Sequence, residues 1–165
     1  MTISVSDYPS VADRIATLGC DFPESGVALL PLNFESATSI TEFRQASEAS
    51  TVRTLLRSAG LSYAEIVQRD KRPPYVHNNA FEWIAPTMFI SAGVLSQNPN
   101  VASVALSVLA NYVTDFFKGR GKVAAVKLDV VVETTKTKTS KRISYEGSPE
   151  GLRELAEVIR EIANE

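Results

Sequence analysis

The chain reads as an α+β fold, an antiparallel β-hairpin or small sheet packed against three or more helices. Three stretches predict this. "VAAVKLDVVVE" places Ala124, Val126, Leu128, Val130 and Val132 on one face and Lys127, Asp129 and Glu133 on the other, the period of two that marks a half-buried strand. "KRISYE" returns with Ile143 and Tyr145 on a common face, and the polar "TTKTKTS" between the two runs turns the chain into a hairpin. After Gly147, "SPEGLRELAEVIREI" opens with Ser148 as cap and Pro149 at the first helical position. It then sets Leu152, Leu155, Ile159 and Ile162 along one side, so an amphipathic helix over 149–163 packs on the hairpin's apolar face.

The remaining elements follow from the N-terminus. Val11 to Leu18 form a short helix between the cap Ser10 and the stop Gly19. "GVALLPLNF" is a short apolar strand whose Pro31 belongs at an edge or an end, and the 27–34 run is a candidate to join the hairpin. In "SITEFRQASEASTVRTLLRSAG", Ser39 and Glu42 have capping-box spacing. Ile40, Phe43, Val52, Leu55 and Leu56 fall at mostly helical steps and Gly60 stands where a helix ends, so a helix is expected over 40–58. From Trp83 through Thr114 there is no formally charged side chain, and "SQNPN" divides this run into two apolar segments, 84–95 and 101–117, both read as helical. Each is shorter than the roughly 20 residues a membrane-spanning helix needs. The second carries a polar stripe through Ser103, Ser107, Asn111, Thr114 and Lys118, the pattern of a central helix over 99–118 in a soluble domain.

Composition narrows the function classes. With 165 residues and 44% hydrophobic residues, one domain spanning 1–165 is expected. A net charge of −2 gives no global attraction to nucleic acid or anionic lipid. One Cys and one His cannot assemble the usual zinc sets, so no metal and no cofactor are expected. Cys20 has no partner for an internal disulfide, and the start "MTISVSDYPS" lacks a basic region followed by an apolar one, so a reducing cytoplasm is the expected compartment. No Gly-x-Ser-x-Gly stretch or cysteine signature is present. "GRG" at 119–121 follows a helix and precedes a strand, the reverse of a phosphate loop's order.

The densest polar chemistry is "RDKRPPYVHNNAFEW", residues 69–83, which holds the only His and the only Trp. Pro73 and Pro74 stiffen this loop, and stiff loops present side chains in fixed places. Arg69, Arg72, Tyr75, His77 and Trp83 are the candidate partner-binding residues, because Arg, Tyr and Trp are the types enriched at interface hot spots. The exposed flanks of the 84–117 helices are a further candidate surface. The expected function is therefore a non-catalytic protein-interaction module, self-associating or part of a larger bacterial complex. The alternative is a small enzyme or ligand-binding protein centred on His77, Asp70 and Arg72. The same loop also reads as a structural bridge, with Arg69 and Arg72 in ion pairs and Tyr75, Phe81 and Trp83 packed in the core.

A third reading comes from charge. Residues 118–142 hold Lys118, Arg120, Lys122, Lys127, Lys136, Lys138, Lys141 and Arg142 against Asp129 and Glu133, eight cations against two anions, whereas 148–165 has five Glu against two Arg. Lys122, Lys136, Lys138, Lys141 and Arg142 are candidate contacts to an anion or a nucleic-acid backbone. Apart from Tyr145 the hairpin lacks base-stacking aromatics, and lysines on an edge also serve to block aggregation. "KLDVVVET…KRISYEGSPEGL" resembles the ends of small bacterial proteins, a likeness that implies no function.

Overall fold

The computed structural model describes residues 1–76, 83–118 and 125–165. Eight strands and five α-helices alternate along these residues. In chain order they are β1 (Thr2–Tyr8), α1 (Val11–Leu18), β2 (Ala28–Leu30), β3 (Gln45–Ala46), α2 (Ala49–Ser58), β4 (Tyr75–Val76), β5 (Trp83–Ile84), β6 (Thr87–Ile90), α3 (Ala92–Gln97), α4 (Val101–Phe117), β7 (Val126–Glu133), β8 (Ser140–Gly147) and α5 (Leu155–Ala163). The main sheet runs β1-β8-β7-β6-β2, with β5 also paired to β7, so the fold class is α+β.

The hairpin forms as its alternation requires. β7 and β8 pair antiparallel with Leu128 opposite Tyr145 and Val130 opposite Ile143, the common apolar face that the side-chain periods specify. Helices α2, α4 and α5 cover that face. Val52 and Leu56 of α2, Ala105, Leu106 and Leu109 of α4, and Leu155 and Ile159 of α5 join Leu128, Val130 and Ile143 in one buried cluster. Residues 150–154 form a 3-10 turn before α5, so the α-helix proper starts later than the Pro149 signal implies. Tyr145 explains the tight entry. Its hydroxyl donates to the Ser148 carbonyl at 2.6 Å, and a side chain at Gly151 would fall on that same hydroxyl.

A second cluster lies on the opposite face of the sheet. Tyr8, Val11 and Ile15 of β1 and α1, with Phe34, Phe43 and Ile66 from the connecting segments, bury Ala28, Leu30, Phe89 and Val131. Val131 is the residue that broke the apolar–polar alternation of β7, and this second layer is why an apolar side chain stands there. α1 is capped as expected: Ser10 Oγ accepts from the Asp13 N–H at 3.2 Å, and Gly19 closes the helix at φ 72°.

Two expected helices are corrected. The 40–58 helix is instead a 3-10 turn at 40–42, the strand β3 and the helix α2. Ile40 and Phe43 pack in the second cluster while Val52 and Leu56 pack in the first, on opposite faces of the sheet, and no straight helix reaches both. Glu42 does not complete a capping box with Ser39; its carboxylate accepts from the Thr38 N–H and hydroxyl at 2.8 and 2.7 Å. The 84–95 segment is strand at Ile84 and over Thr87–Ile90 and turns helical only from Ala92. Pro86 has no N–H, and the partner of Ile84 is Lys127 while that of Met88 is Val130, so four steps oppose three and the strand bulges there. Met88 and Ile90 face the first cluster and Phe89 the second, which produces an apolar run without alternation.

Two further differences concern the strands. β1 had no apolar signal, since its residues are mostly exposed, yet it pairs with β8 along seven residues from Thr2 to Tyr8. β2 joins the sheet through β6 and not through the hairpin. No helix among the described residues is long and apolar enough to cross a membrane.

Candidate functional site

The 69–76 segment is held from beneath by a polar network that spacing did not reveal. Gln45 receives two constraints from the prolines: its N–H donates to the Pro74 carbonyl at 3.0 Å and its side-chain amide donates to the Pro73 carbonyl at 2.5 Å. The Gln45 side-chain oxygen accepts from Arg53 at 2.5 Å, and Arg53 is 7% exposed. Glu65 then pairs with Arg72 and faces the Arg53 guanidinium at 3.9 Å. Burial beside this network pushes the Tyr63 phenol above its ordinary range. Gln45, Arg53 and the Tyr63–Glu65 segment are three separate stretches, so only the fold brings them together.

The network is a structural support for the segment above it. The cavity that it lines is about 30 Å³. That is the volume of about one water molecule and far below the roughly 300–1,000 Å³ of ligand pockets. Arg72, half-buried and paired with Glu65, therefore anchors the segment and does not present its charge outward.

What the anchored segment does present is different chemistry. Residues 69–71 form a 3-10 turn in which Arg69, Asp70 and Lys71 are all exposed. Pro73 and Pro74 then extend the chain into β4, which pairs parallel with β3, Gln45 opposite Tyr75 and Ala46 opposite Val76. β3 is buried. Tyr75 is 47% exposed and Val76 42%, so an aromatic and a β-branched side chain are both partly in solvent, on opposite faces of a two-residue strand whose only neighbour among the described residues is β3. Leu32, also 47% exposed, is tied to the same region, because its N–H donates to the Arg44 carbonyl next to β3.

Nothing else matches. Comparison with family models, with curated proteins and with solved structures finds no match, so function has to be argued from geometry and chemistry.

The other sequence candidates separate cleanly. His77 and Lys122 lie outside the described residues, as do Asn78, Asn79 and Phe81. Trp83 is 3% exposed and packs in the first cluster against Tyr112, with ring centroids 6.2 Å apart, so it is a core anchor that offers no surface to a partner. Among the described residues no three His, Cys, Asp or Glu side chains gather as a metal site would require.

On the hairpin, Lys141 pairs with Asp7 at 2.5 Å, and that contact holds the Asp7 carboxyl below its ordinary value. Arg142 pairs with Glu35 at 2.8 Å and lies over the Tyr8 ring. These two cations thus answer carboxylates of the same chain. Lys136 and Lys138 remain exposed at the turn, Lys138 at φ 56°, and the Lys136 N–H donates to the Glu165 carbonyl at the end of the acidic segment.

The flank of α3 and α4 carries a groove of about 410 Å³ against α5, floored by Ala102, Ile159 and Ala163. Its one charged lining residue, Arg160, pairs with Glu157 at 2.7 Å.

Proposed function

We propose that this chain is a non-catalytic protein-interaction module that presents residues 69–76 to a partner, either a second copy or another protein of a larger assembly. The observation that carries the reading is the exposure of Tyr75 and Val76 on a strand that Gln45, Arg53, Glu65 and Arg72 hold in place. A rigid aromatic displayed on a fixed frame loses little entropy on binding, and Tyr and Arg are the side chains from which such surfaces draw most of their affinity. A strand whose only neighbour among the described residues is β3 also suits a partner that adds a strand by main-chain pairing. The single unpaired thiol of Cys20, half-buried, supports a reducing, cytoplasmic setting.

Enzymatic and nucleic-acid readings have less behind them. The acid–base alternative needs His77, and its described members point elsewhere: Asp70 is exposed and Arg72 is paired with Glu65. The phosphate-backbone alternative loses Lys141 and Arg142 to Asp7 and Glu35.

Light scattering after size exclusion, combined with partner capture, tests the proposal. Tyr75→Ala and Arg69→Ala should reduce self-association or capture about tenfold or more while leaving the melting temperature within a few degrees, since neither side chain is buried. A monomer that captures nothing, or variants that bind as well as the parent chain, would remove the basis for the reading.

A further inference from the structure

The main sheet ends in two very different edges. At one, β2 is three residues long and is followed at once by Pro31, the short form that discourages pairing with another chain. At the other, β1 pairs with β8 over seven residues without a bulge, and among the described residues it has no neighbour on its outer side. Thr2 to Tyr8 contain no Lys, Arg or Pro. The outer main-chain groups of a regular strand built from Thr, Ile, Ser and Val are therefore open to a further strand.

The side chains of this edge are apolar where the sheet needs cover. Opposed residues share a face, so Ile3 and Val5, opposite Tyr145 and Ile143, stand on the face of the first cluster. Tyr145 and Ile143 are buried there and Ile3 is partly buried, but Val5 is 44% exposed, so the covering of that face stops short of it.

A second copy completes this edge with the same residues. Antiparallel pairing about a two-fold axis at Ser4 sets Ser4 against Ser4, Ile3 against Val5 and Thr2 against Ser6. On the face of the first cluster, a row then passes through Ile143 and Val5 of one copy to Ile3 and Tyr145 of the other, apolar throughout. On the opposite face Glu146 lies beside Thr2 and Arg142 beside Ser6, so each Thr2–Ser6 row runs from Glu146 of one copy to Arg142 of the other, charges of opposite sign. Asp7, the one charged residue of β1, is paired with Lys141 and lies outside these rows, so no like charges meet. We propose that β1 is a homodimer edge, at which two copies of the chain join their sheets through antiparallel β1–β1 pairing. This surface is separate from residues 69–76, which it leaves to a different protein.

Disulfide trapping of the full chain in a Cys20→Ser background tests partner and register together. Facing residues of an antiparallel pair lie about 4.5–5.5 Å apart at Cα, within the span of a disulfide. Ser4→Cys should therefore oxidise to a covalent dimer. Thr2→Cys, whose counterpart stands roughly 13 Å away along the strand, should stay monomeric on a denaturing gel. Light scattering after size exclusion should give the unaltered chain twice its 17.9 kDa mass. Val5→Lys should weaken that association about tenfold or more, and Tyr75→Ala should leave it unchanged. A chain that is monomeric at every concentration, Thr2→Cys cross-linking as readily as Ser4→Cys, or a dimer lost in Tyr75→Ala but kept in Val5→Lys would overturn the proposal. Amide hydrogen exchange on the unaltered chain decides even where a variant misfolds. Alternate β1 amides should lose protection on dilution, and a pattern independent of concentration overturns the β1 edge.

Discussion

Glu65 accepts a charged hydrogen bond from Arg72, and Arg53, almost fully buried, faces it at 3.9 Å. Removing the one carboxylate leaves two guanidiniums close together with no anion, one of them out of reach of water. Glu65→Ala should therefore destabilise the chain by about 1–3 kcal/mol, read as a lower urea midpoint at unchanged slope. Arg69→Ala, at an exposed side chain, should stay within about 0.5 kcal/mol. Equal midpoints for the two variants would mean that the network does not support the segment. The residue types at 69–83 were legible as chemistry, but their directions were not. Arg72 turns inward because Glu65 stands beneath it, and Trp83 because β5 pairs with β7 over the first cluster, while Tyr75 stays half in solvent.

At the scale of elements, α5 shows how far periodicity carries. Leu155 and Ile159 are buried against α4 and the hairpin, and Glu157 is exposed beside Arg160, as the spacing requires. Leu155→Asp should unfold the chain or detach α5, at a cost of roughly 3–5 kcal/mol, because an unpaired carboxylate would enter the first cluster. Glu157→Ala should be nearly silent, since an exposed i,i+3 pair contributes little. Far-ultraviolet circular dichroism and chemical denaturation of both variants check this, and matching stabilities would show that α5 docks elsewhere. The 40–58 stretch marks the limit of the same method. Its apolar spacings are nearly helical throughout, but its first half and its second half serve different clusters.

For the whole molecule, the two buried faces have a consequence at high pH. Tyr8 sits in the second cluster and Tyr63 packs against the first, and burial raises both phenols above their ordinary 10.0. Below that value both are neutral in the folded and unfolded chains, and this contribution to stability is fully present. As pH rises past about 10 the unfolded chain loses these protons first, so stability falls with pH. Melting temperatures should fall as pH rises above about 10. Tyr8→Phe should flatten part of that drop, and an unchanged alkaline slope would show that Tyr8 is not held neutral by the fold.

α1, α4 and α5 were determined by the sequence alone, since each buries one side against one cluster and its apolar period records that burial, and the hairpin was legible because β7 keeps its alternation at every position but Val131. Tertiary structure decided the rest. β1 is held by main-chain pairing to β8 and needs no apolar side chains to mark it. β6 is buried on both faces, so its side chains carry no alternation to distinguish strand from helix. The polar groups beneath the 69–76 segment come from separate elements, β3, α2 and the connection after it. Spacing records only neighbours along one element, and these groups become neighbours when the sheet brings their elements together.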